Sequence, residues 1–388
     1  MMKKILFINH NQENFGTYYR CFFLAKGLSE CGCQITMICA SGKKFDLLIR
    51  RRKINDNFSI ITLPRIKYHE YFTGQLLFRL PLALLFVLLG NYDICHAFTV
   101  AQPQIAIPAW AAKVIRRKKL IIDWDDLWGG GFADEHGGIV SKVLGFSERY
   151  FLKFSDKITY VSEFIGEQIE KLGLKIEKIK IPNGSNIEQI AMLDKEESRA
   201  RVGLEVGEKY LVSIGNTYTD SLGLMLGAFK EALKVDDIQL VMVGEGKITD
   251  KFRNIFDELK EKIIITGKRP FSEIPFYLAS ADALLLPMDD NGIEKARFPM
   301  RFGDYLCAGR PIVSNAIGEV KYYIEKYNAG LTSAPDSVHE FAANIEKSLK
   351  NRELSGIVSS NARMLAENDL SWKSIINKLD RDVYDSLV

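Results

Sequence analysis

Several common classes of protein are excluded by what this chain lacks. Its six cysteines form no CxxC pair, and Cys31-Gly-Cys33 has no second pair to complete a zinc site. They lie mostly within apolar patterns and read as reduced core thiols. The five histidines show no metal-ligand spacing. A formal net charge of +3 over 388 residues is too small to argue for nucleic acid as a partner. The most apolar stretch, LLFRLPLALLFVLLG (76–90), is interrupted by Arg79 and Pro81 and falls short of the ~20 residues that span a bilayer. No segment is of low complexity. The GxGxxG spacing of a dinucleotide site is missing after the first apolar run, which disfavours NAD.

What is present is a globular composition, 47% hydrophobic and 26% charged, on a chain long enough for two domains. The opening MMKKILFINH reads as a first strand, because its apolar run is far too short for a secretory signal. A cytoplasmic protein is expected. The 76–90 stretch reads as a buried helix or as a contact with the inner face of a membrane. The second reading draws on the basic clusters Lys43-Lys44 and Arg50-Arg51-Arg52-Lys53 in the same region.

Short runs rich in β-branched residues recur along the first half, at 3–9, 34–40, 58–64, 92–98, 119–124 and 156–162, mostly with helical stretches between them. Alternation of this kind predicts parallel βαβ units with both sheet faces covered. After IKIPNGSN (179–186) the pattern restarts, with strands at 210–215, 238–244, 262–267, 281–287 and 310–315. The prediction is two doubly wound α/β domains, 1–190 and 191–370, with 371–388 forming a helix that packs back on the first. Ligands are expected beyond the carboxyl ends of the strands.

Residues 297–313, RFPMRFGDYLCAGRPIV, place positive charge where a helix normally avoids it. Pro299 suits a first helical position and Gly309 a left-handed stop, so MRFGDYLCA reads as a short helix. Arg297 precedes its first turn and Arg301 lies inside it. A cation there costs about 0.3–1 kcal/mol unless an anion is bound, and phosphate is the natural guest. The turn NHNQENFGTYYR after strand one repeats the signal. Gly16 allows close approach to a ligand, and Arg20 sits in the first turn of the next helix.

KLIIDWDDLWGGG (119–131) sets Asp123, Asp125 and Asp126 at the carboxyl end of a strand. Carboxylates there can hold hydroxyls, take a proton or bind a metal, although Asp126 could simply cap the next helix. His136, in a glycine-rich loop, and His10, at the end of strand one, are candidate proton-transfer groups. In the second half, Gly215, Asn216 and Thr217 follow a strand and could hold phosphate. Lys247, Lys268 and Arg269 lie in further strand-end loops.

Read together, these segments resemble the retaining, nucleotide-sugar-dependent glycosyltransferases of the GT-B fold, specifically family 4. FGTYYRCFFLAKGLSECG, YDICHAF, ITYVSEFIGEQIEKLG with IKIPNGSN, VMVGEG, YLASADALLLP and DYLCAGRPIVSNAIGEV match that family's segments in the same order. The resemblance implies two Rossmann-like domains facing across a cleft, with the acceptor mainly in the first and the nucleotide mainly in the second, and no metal. It implies a nucleoside diphosphate sugar as donor and a glycan or lipid-linked acceptor, in surface-glycan or polysaccharide biosynthesis. By the same resemblance, Asp304 corresponds to the second acid of the family's Glu-x7-Glu motif, which holds the ribose. Phe298, Pro299, Met300 and Arg301 face the diphosphate, Gly16 and Arg20 approach it from the first domain, and Asp125 stands where many members carry a histidine near the sugar.

Three departures follow. The second acid is aspartate, the first is replaced by Ala296 with Glu294 nearby, and the basic residue usual after the Gly215 turn is absent. Arg297 and Arg301 are expected to supply that charge. Asp125, Asp126 and His136 are the expected catalytic groups. Two alternatives are a nucleotide-sugar epimerase of similar architecture and a non-catalytic nucleotide-sugar-binding protein.

Overall fold

The computed structural model describes residues 2–66, 78–215, 221–245, 248–315 and 317–387, with only the backbone described at 66, 135 and 136. The chain divides into two compact units, Met1–Pro182 with Trp372–Val388, and Asn183–Ser371. The break falls earlier than the 190/191 position read from the sequence. Side chains of the PNGSN turn explain why. Asn183 Nδ2 donates to the Phe298 carbonyl at 2.6 Å and Asn186 Nδ2 to Asp304 Oδ1 at 2.8 Å, so this segment packs with the second unit.

The first unit contains β1 (Lys4–Gln12), β2 (Gln34–Ala40), β3 (Phe45–Asp46), β4 (Arg50–Asn55), β5 (Phe58–Leu63), β6 (Arg65–Ile66), β7 (Ile94–Phe98), β8 (Lys119–Trp124), β9 (Lys157–Tyr160) and β10 (Glu177–Lys180). Eight of these form one sheet in the order β10-β9-β8-β7-β1-β2-β5-β4. Every pair in it is parallel except β4 with β5. The central strands are buried on both faces, as their unbroken apolar runs require, because helices such as Tyr18–Glu30 cover the sheet. The basic RRRK run is the edge strand β4, where charge keeps the exposed edge from pairing with another chain.

The segment after residue 371 completes this unit. Ile375, Leu379 and Tyr384 join the core made by Phe7, Leu24 and Met37. Trp372 stacks on Phe23 at 5.0 Å, and Lys3 pairs with Asp380 at 2.8 Å. Gly27 leaves the space that Ile376 fills, since a Cβ there would lie 1.7 Å from the isoleucine Cδ1. The helix Leu80–Leu89 is buried only through Ala83 and Val87, while Leu89 is 76% exposed. Among the described residues no helix is long and apolar enough to cross a membrane.

The second unit contains β11 (Tyr210–Ile214), β12 (Gln239–Val243), β13 (Ile263–Gly267), β14 (Ala283–Leu286), β15 (Ile312–Asn315) and β16 (Leu331–Ser333). They form an all-parallel sheet in the order β13-β12-β11-β14-β15-β16. Leu211, Leu226, Phe229, Leu240 and Leu285 fill its core. Among the parallel strands of each sheet the strand order reverses once, at β1/β7 in the first unit and at β11/β14 in the second. Ligands of doubly wound sheets bind beyond the carboxyl ends of the strands at such points.

Candidate functional site

In the second unit the switch point is occupied by one side chain. The helix Met300–Ala308 starts after Pro299, which is its N-cap and not its first residue as the sequence suggested, and stops at Gly309 with φ 59°. No side chain caps its N-terminus. From its first turn the Arg301 guanidinium reaches back to the strand ends, 3.4 Å from the Ile214 carbonyl after β11 and 3.4 Å from the Pro287 carbonyl after β14. Gly215 makes room for it. A Cβ there would meet Arg301 Nη1 at 3.3 Å, and the backbone φ of 111° favours glycine. Among the described residues no carboxylate forms an ion pair with Arg301. Burial pulls its pKa down, but a guanidinium stays charged. A half-buried cation at an uncapped helix N-terminus is an arrangement that can hold an anion.

Arg297 differs. It is held by the Glu294 carboxylate through Nε at 2.9 Å and through Nη2. Glu294 sits in the short helix Gly292–Ala296, capped by Asn291, and is 5% exposed. Its pKa is raised by burial against the pull of Arg297 and Arg301. The anion facing Arg297 is therefore the chain's own carboxylate, and the expectation that this arginine waits for phosphate is corrected. Phe298 is a core residue packed on Phe302 and Tyr323, and its carbonyl is taken by Asn183.

Asp304 lies one turn beyond Met300 and Arg301. One carboxylate oxygen accepts from Asn186, and burial raises the pKa to about 6. Gly303 lets the 183–186 turn lie against this helix, since a Cβ would meet the Gly184 carbonyl at 3.0 Å. Asn216, Thr217 and Lys247 lie outside the described residues. Lys268 and Arg269 are exposed, and Arg269 faces Glu273 at 3.8 Å.

In the first unit Arg20 does not face outward. Its guanidinium is 2% exposed and grips Asp123 with two bonds, Nε at 2.9 Å and Nη2 at 2.8 Å. It also donates to the carbonyls of Ile181 and Pro182. The first-turn cation read as a diphosphate ligand is thus a structural group, neutralised by Asp123. The network continues. Thr159 donates to Asp123 at 2.6 Å, and His96 Nδ1 meets the Tyr384 hydroxyl at 2.7 Å.

The first unit's switch point carries a second cluster. Asp125 is 7% exposed and accepts from the Thr99 hydroxyl at 2.5 Å. Burial first, then the nearby charges of Asp126 and Asp123, push its pKa up to about 8, so near neutrality it holds a proton it can donate. Thr99 adopts φ 59°, an uncommon conformation for a β-branched residue, and its N–H donates to the Asp123 carbonyl at 2.9 Å. Asp126 accepts from Thr17 at 3.5 Å at the start of the first helix, and Gly16 just before it has φ 55°. His10, 4% exposed, meets Trp128 edge-on at 5.8 Å, and burial holds its pKa at about 3. It is a neutral imidazole. His136 ends the 3₁₀ turn Phe132–His136, and its side chain lies outside the described residues.

Three contributors escaped the sequence reading. Thr99 positions Asp125, and no pattern signals a left-handed threonine. Asn186 holds Asp304, and it was read only as part of a boundary turn. Glu148, buried, accepts from the amides of Trp128 at 2.9 Å and Gly129 at 2.8 Å, fastening the loop that follows the aspartates. Among the described residues no group of three or more His, Cys, Asp or Glu side chains could hold a metal ion.

Comparison with known proteins gives this arrangement its class. Residues 20–184 match the family model "Glycosyl transferase 4-like domain" and residues 208–351 match "Glycosyl transferases group 1". Sucrose-phosphate synthase of Thermosynechococcus elongatus superposes with TM-score 0.76 at 15% identity, covering 99% of each chain. Anabaena HepE, solved with UDP-glucose, superposes with TM-score 0.72 at 15% identity over 98% of this chain and 99% of its own. At such identities the likeness establishes the fold. TuaH of Bacillus subtilis (strain 168), a glycosyltransferase named for teichuronic acid biosynthesis, is 24% identical over 243 residues, 60% of this chain. The match spans 58% of that relative's length. With two such models on its two units and a GT-B fold, the chain is a glycosyltransferase.

Proposed function

We propose that the chain transfers a sugar from a nucleoside diphosphate sugar to an acceptor hydroxyl, with retention of anomeric configuration, as a family 4 enzyme in the assembly of a surface glycan. The observation that carries this reading is the Arg301 guanidinium at the β11/β14 switch point, beside Gly215 and with no carboxylate in ion-pair range among the described residues. Arg301 and the first amides of its helix bind the diphosphate and stabilise the charge it gains as the glycosidic bond breaks. Asp304, ionised above about pH 6, accepts from the ribose hydroxyls, steadied by Asn186. The first unit takes the acceptor, a glycan or lipid-linked saccharide. Asp125, with Asp126 beside it, orients sugar hydroxyls around an oxocarbenium-like centre, and Thr99 fixes its position.

The reading includes no covalent nucleophile and no metal, because Arg301 supplies the positive charge. The UDP-glucose complex of HepE supports a nucleotide-sugar donor, and the naming of TuaH for teichuronic acid biosynthesis supports a glycan product. The epimerase and binding-protein alternatives are not favoured by the glycosyltransferase matches. A thermal-shift panel of UDP, GDP, ADP and their sugars tests the reading, since a ligand of the folded state raises its melting temperature. One nucleotide family is expected to stabilise the protein, with the shift unchanged by EDTA and abolished by Arg301→Ala. The absence of any shift, or an equal shift in the variant, contradicts the reading.

A further inference from the structure

At their carboxyl ends β11 and β14 are joined through a phenol instead of a ladder bond. The ladder pairs Leu211 with Ala283 and Val212 with Leu284 and ends there, although the strands run on to Ile214 and Leu286. Where the next rung would form stands the Tyr305 hydroxyl. It accepts from the Ile214 N–H at 2.7 Å and donates to the Leu285 carbonyl at 3.2 Å. Tyr305 is fully buried. Burial, against the pull of the Arg301 charge, raises its pKa, so the proton stays on the oxygen to be donated.

A buried tyrosine needs one partner for its hydroxyl. This one takes a backbone group from each of two neighbouring strands, and both strands also carry a carbonyl that faces Arg301. The Ile214 residue that donates to Tyr305 presents its own carbonyl to the guanidinium at 3.4 Å, so it is clamped at N–H by one side chain and at C=O by the other. On β14 the Leu285 carbonyl meets Tyr305, and the Pro287 carbonyl, two residues on, meets Arg301. Arg301 and Tyr305 lie four residues apart on the helix Met300–Ala308 and leave it from one face. Without the hydroxyl, the Ile214 N–H and the Leu285 carbonyl must either find each other, narrowing the gap between the strand ends, or stay buried without this partner.

We propose that Tyr305 is a positioning residue for donor binding, whose hydroxyl fixes the ends of β11 and β14 at the spacing that seats the Arg301 guanidinium. Fully buried, it acts through Arg301 and not on the donor. The inference rests on the reading that Arg301 holds the diphosphate. It adds how a cation carried by the helix is set at a fixed place beside Gly215, where a Cβ would already meet Arg301 Nη1 at 3.3 Å.

A double-mutant cycle tests it. Affinity for UDP, GDP or ADP, whichever stabilises the wild type most, is measured by calorimetry on the wild type, Tyr305→Phe, Arg301→Ala and the double variant. Tyr305→Phe removes one oxygen and keeps the ring, so it should fold with a melting temperature lower by a few degrees. It should bind about three- to tenfold more weakly than the wild type. In the Arg301→Ala background the same change should weaken binding by less than about twofold. A hydroxyl that merely stabilises the sheet gives equal factors in both backgrounds, and that result overturns the inference. So does unchanged affinity in folded Tyr305→Phe, or its failure to fold, which assigns the hydroxyl to the core alone. Arg301→Ala by itself keeps the two claims apart. If it binds as the wild type does, or the wild type binds none of the three nucleotides, the diphosphate reading falls and positioning with it. If it binds weakly and the two losses simply multiply, positioning alone falls.

Discussion

Arg20 and Arg301 carry the same signature in the sequence, and the structure gives them opposite situations. Each lies in the first turn of a helix in a doubly wound unit, against the helix dipole. Arg20 turns inward, is 2% exposed and is gripped by Asp123. Arg301 lies between two strand-end carbonyls, with no carboxylate paired to it among the described residues. A cation at a helix N-terminus therefore identifies a ligand site only once the protein's own anions are accounted for. The Arg297–Glu294 pair repeats the lesson four residues before Arg301.

Breaking the Arg20–Asp123 pair should have the largest effect on stability. Arg20→Ala leaves a fully buried carboxylate uncompensated and should cost about 3–5 kcal/mol, read by urea unfolding. Joint replacement by Arg20→Met and Asp123→Leu should cost clearly less. If Arg20→Ala instead keeps its stability and loses nucleotide affinity, the contrast between the two arginines fails.

Arg301→Ala should do the reverse, lowering turnover by about 10²- to 10³-fold, as expected for loss of a group that meets transition-state charge. Its unliganded stability should stay close to that of the wild type. Gly215→Ala tests the same site by crowding, since its φ of 111° and the 3.3 Å approach of Arg301 leave little room for a methyl. About 1–3 kcal/mol of stability should be lost, together with nucleotide affinity.

A smaller effect concerns Asp125. Its folded pKa of about 8 lies above the ordinary 3.8, so the folded state binds more protons than the unfolded chain between those values. The stability this proton confers is present at low pH and is lost as pH rises towards about 8. Melting temperature should fall by a few degrees across that window, and Asp125→Asn should flatten the slope. A slope that persists in the variant assigns the proton elsewhere.

Much of the architecture was legible, because unbroken apolar runs separated by amphipathic stretches admit few arrangements other than parallel sheets covered on both faces. The helix after Pro299 and its stop at Gly309 were legible from backbone chemistry. Pairing was not. Arg20 and Asp123 stand 103 positions apart, and nothing local reports that the fold brings them together. The edge strand β4 was hidden because four consecutive basic residues lack the alternation that marks a half-buried strand. The strained Thr99 follows from tertiary packing at the β7/β8 strand ends.

The central claim is that Arg301 holds the donor's diphosphate. It is tested most directly by the dissociation constant of the nucleoside diphosphate that stabilises the protein most, measured by calorimetry on wild type, Arg301→Ala and Arg297→Ala. Affinity is expected to fall at least about tenfold in Arg301→Ala, as loss of a charge-assisted bond implies, and much less in Arg297→Ala, with both variants folded. Unchanged affinity in folded Arg301→Ala contradicts it.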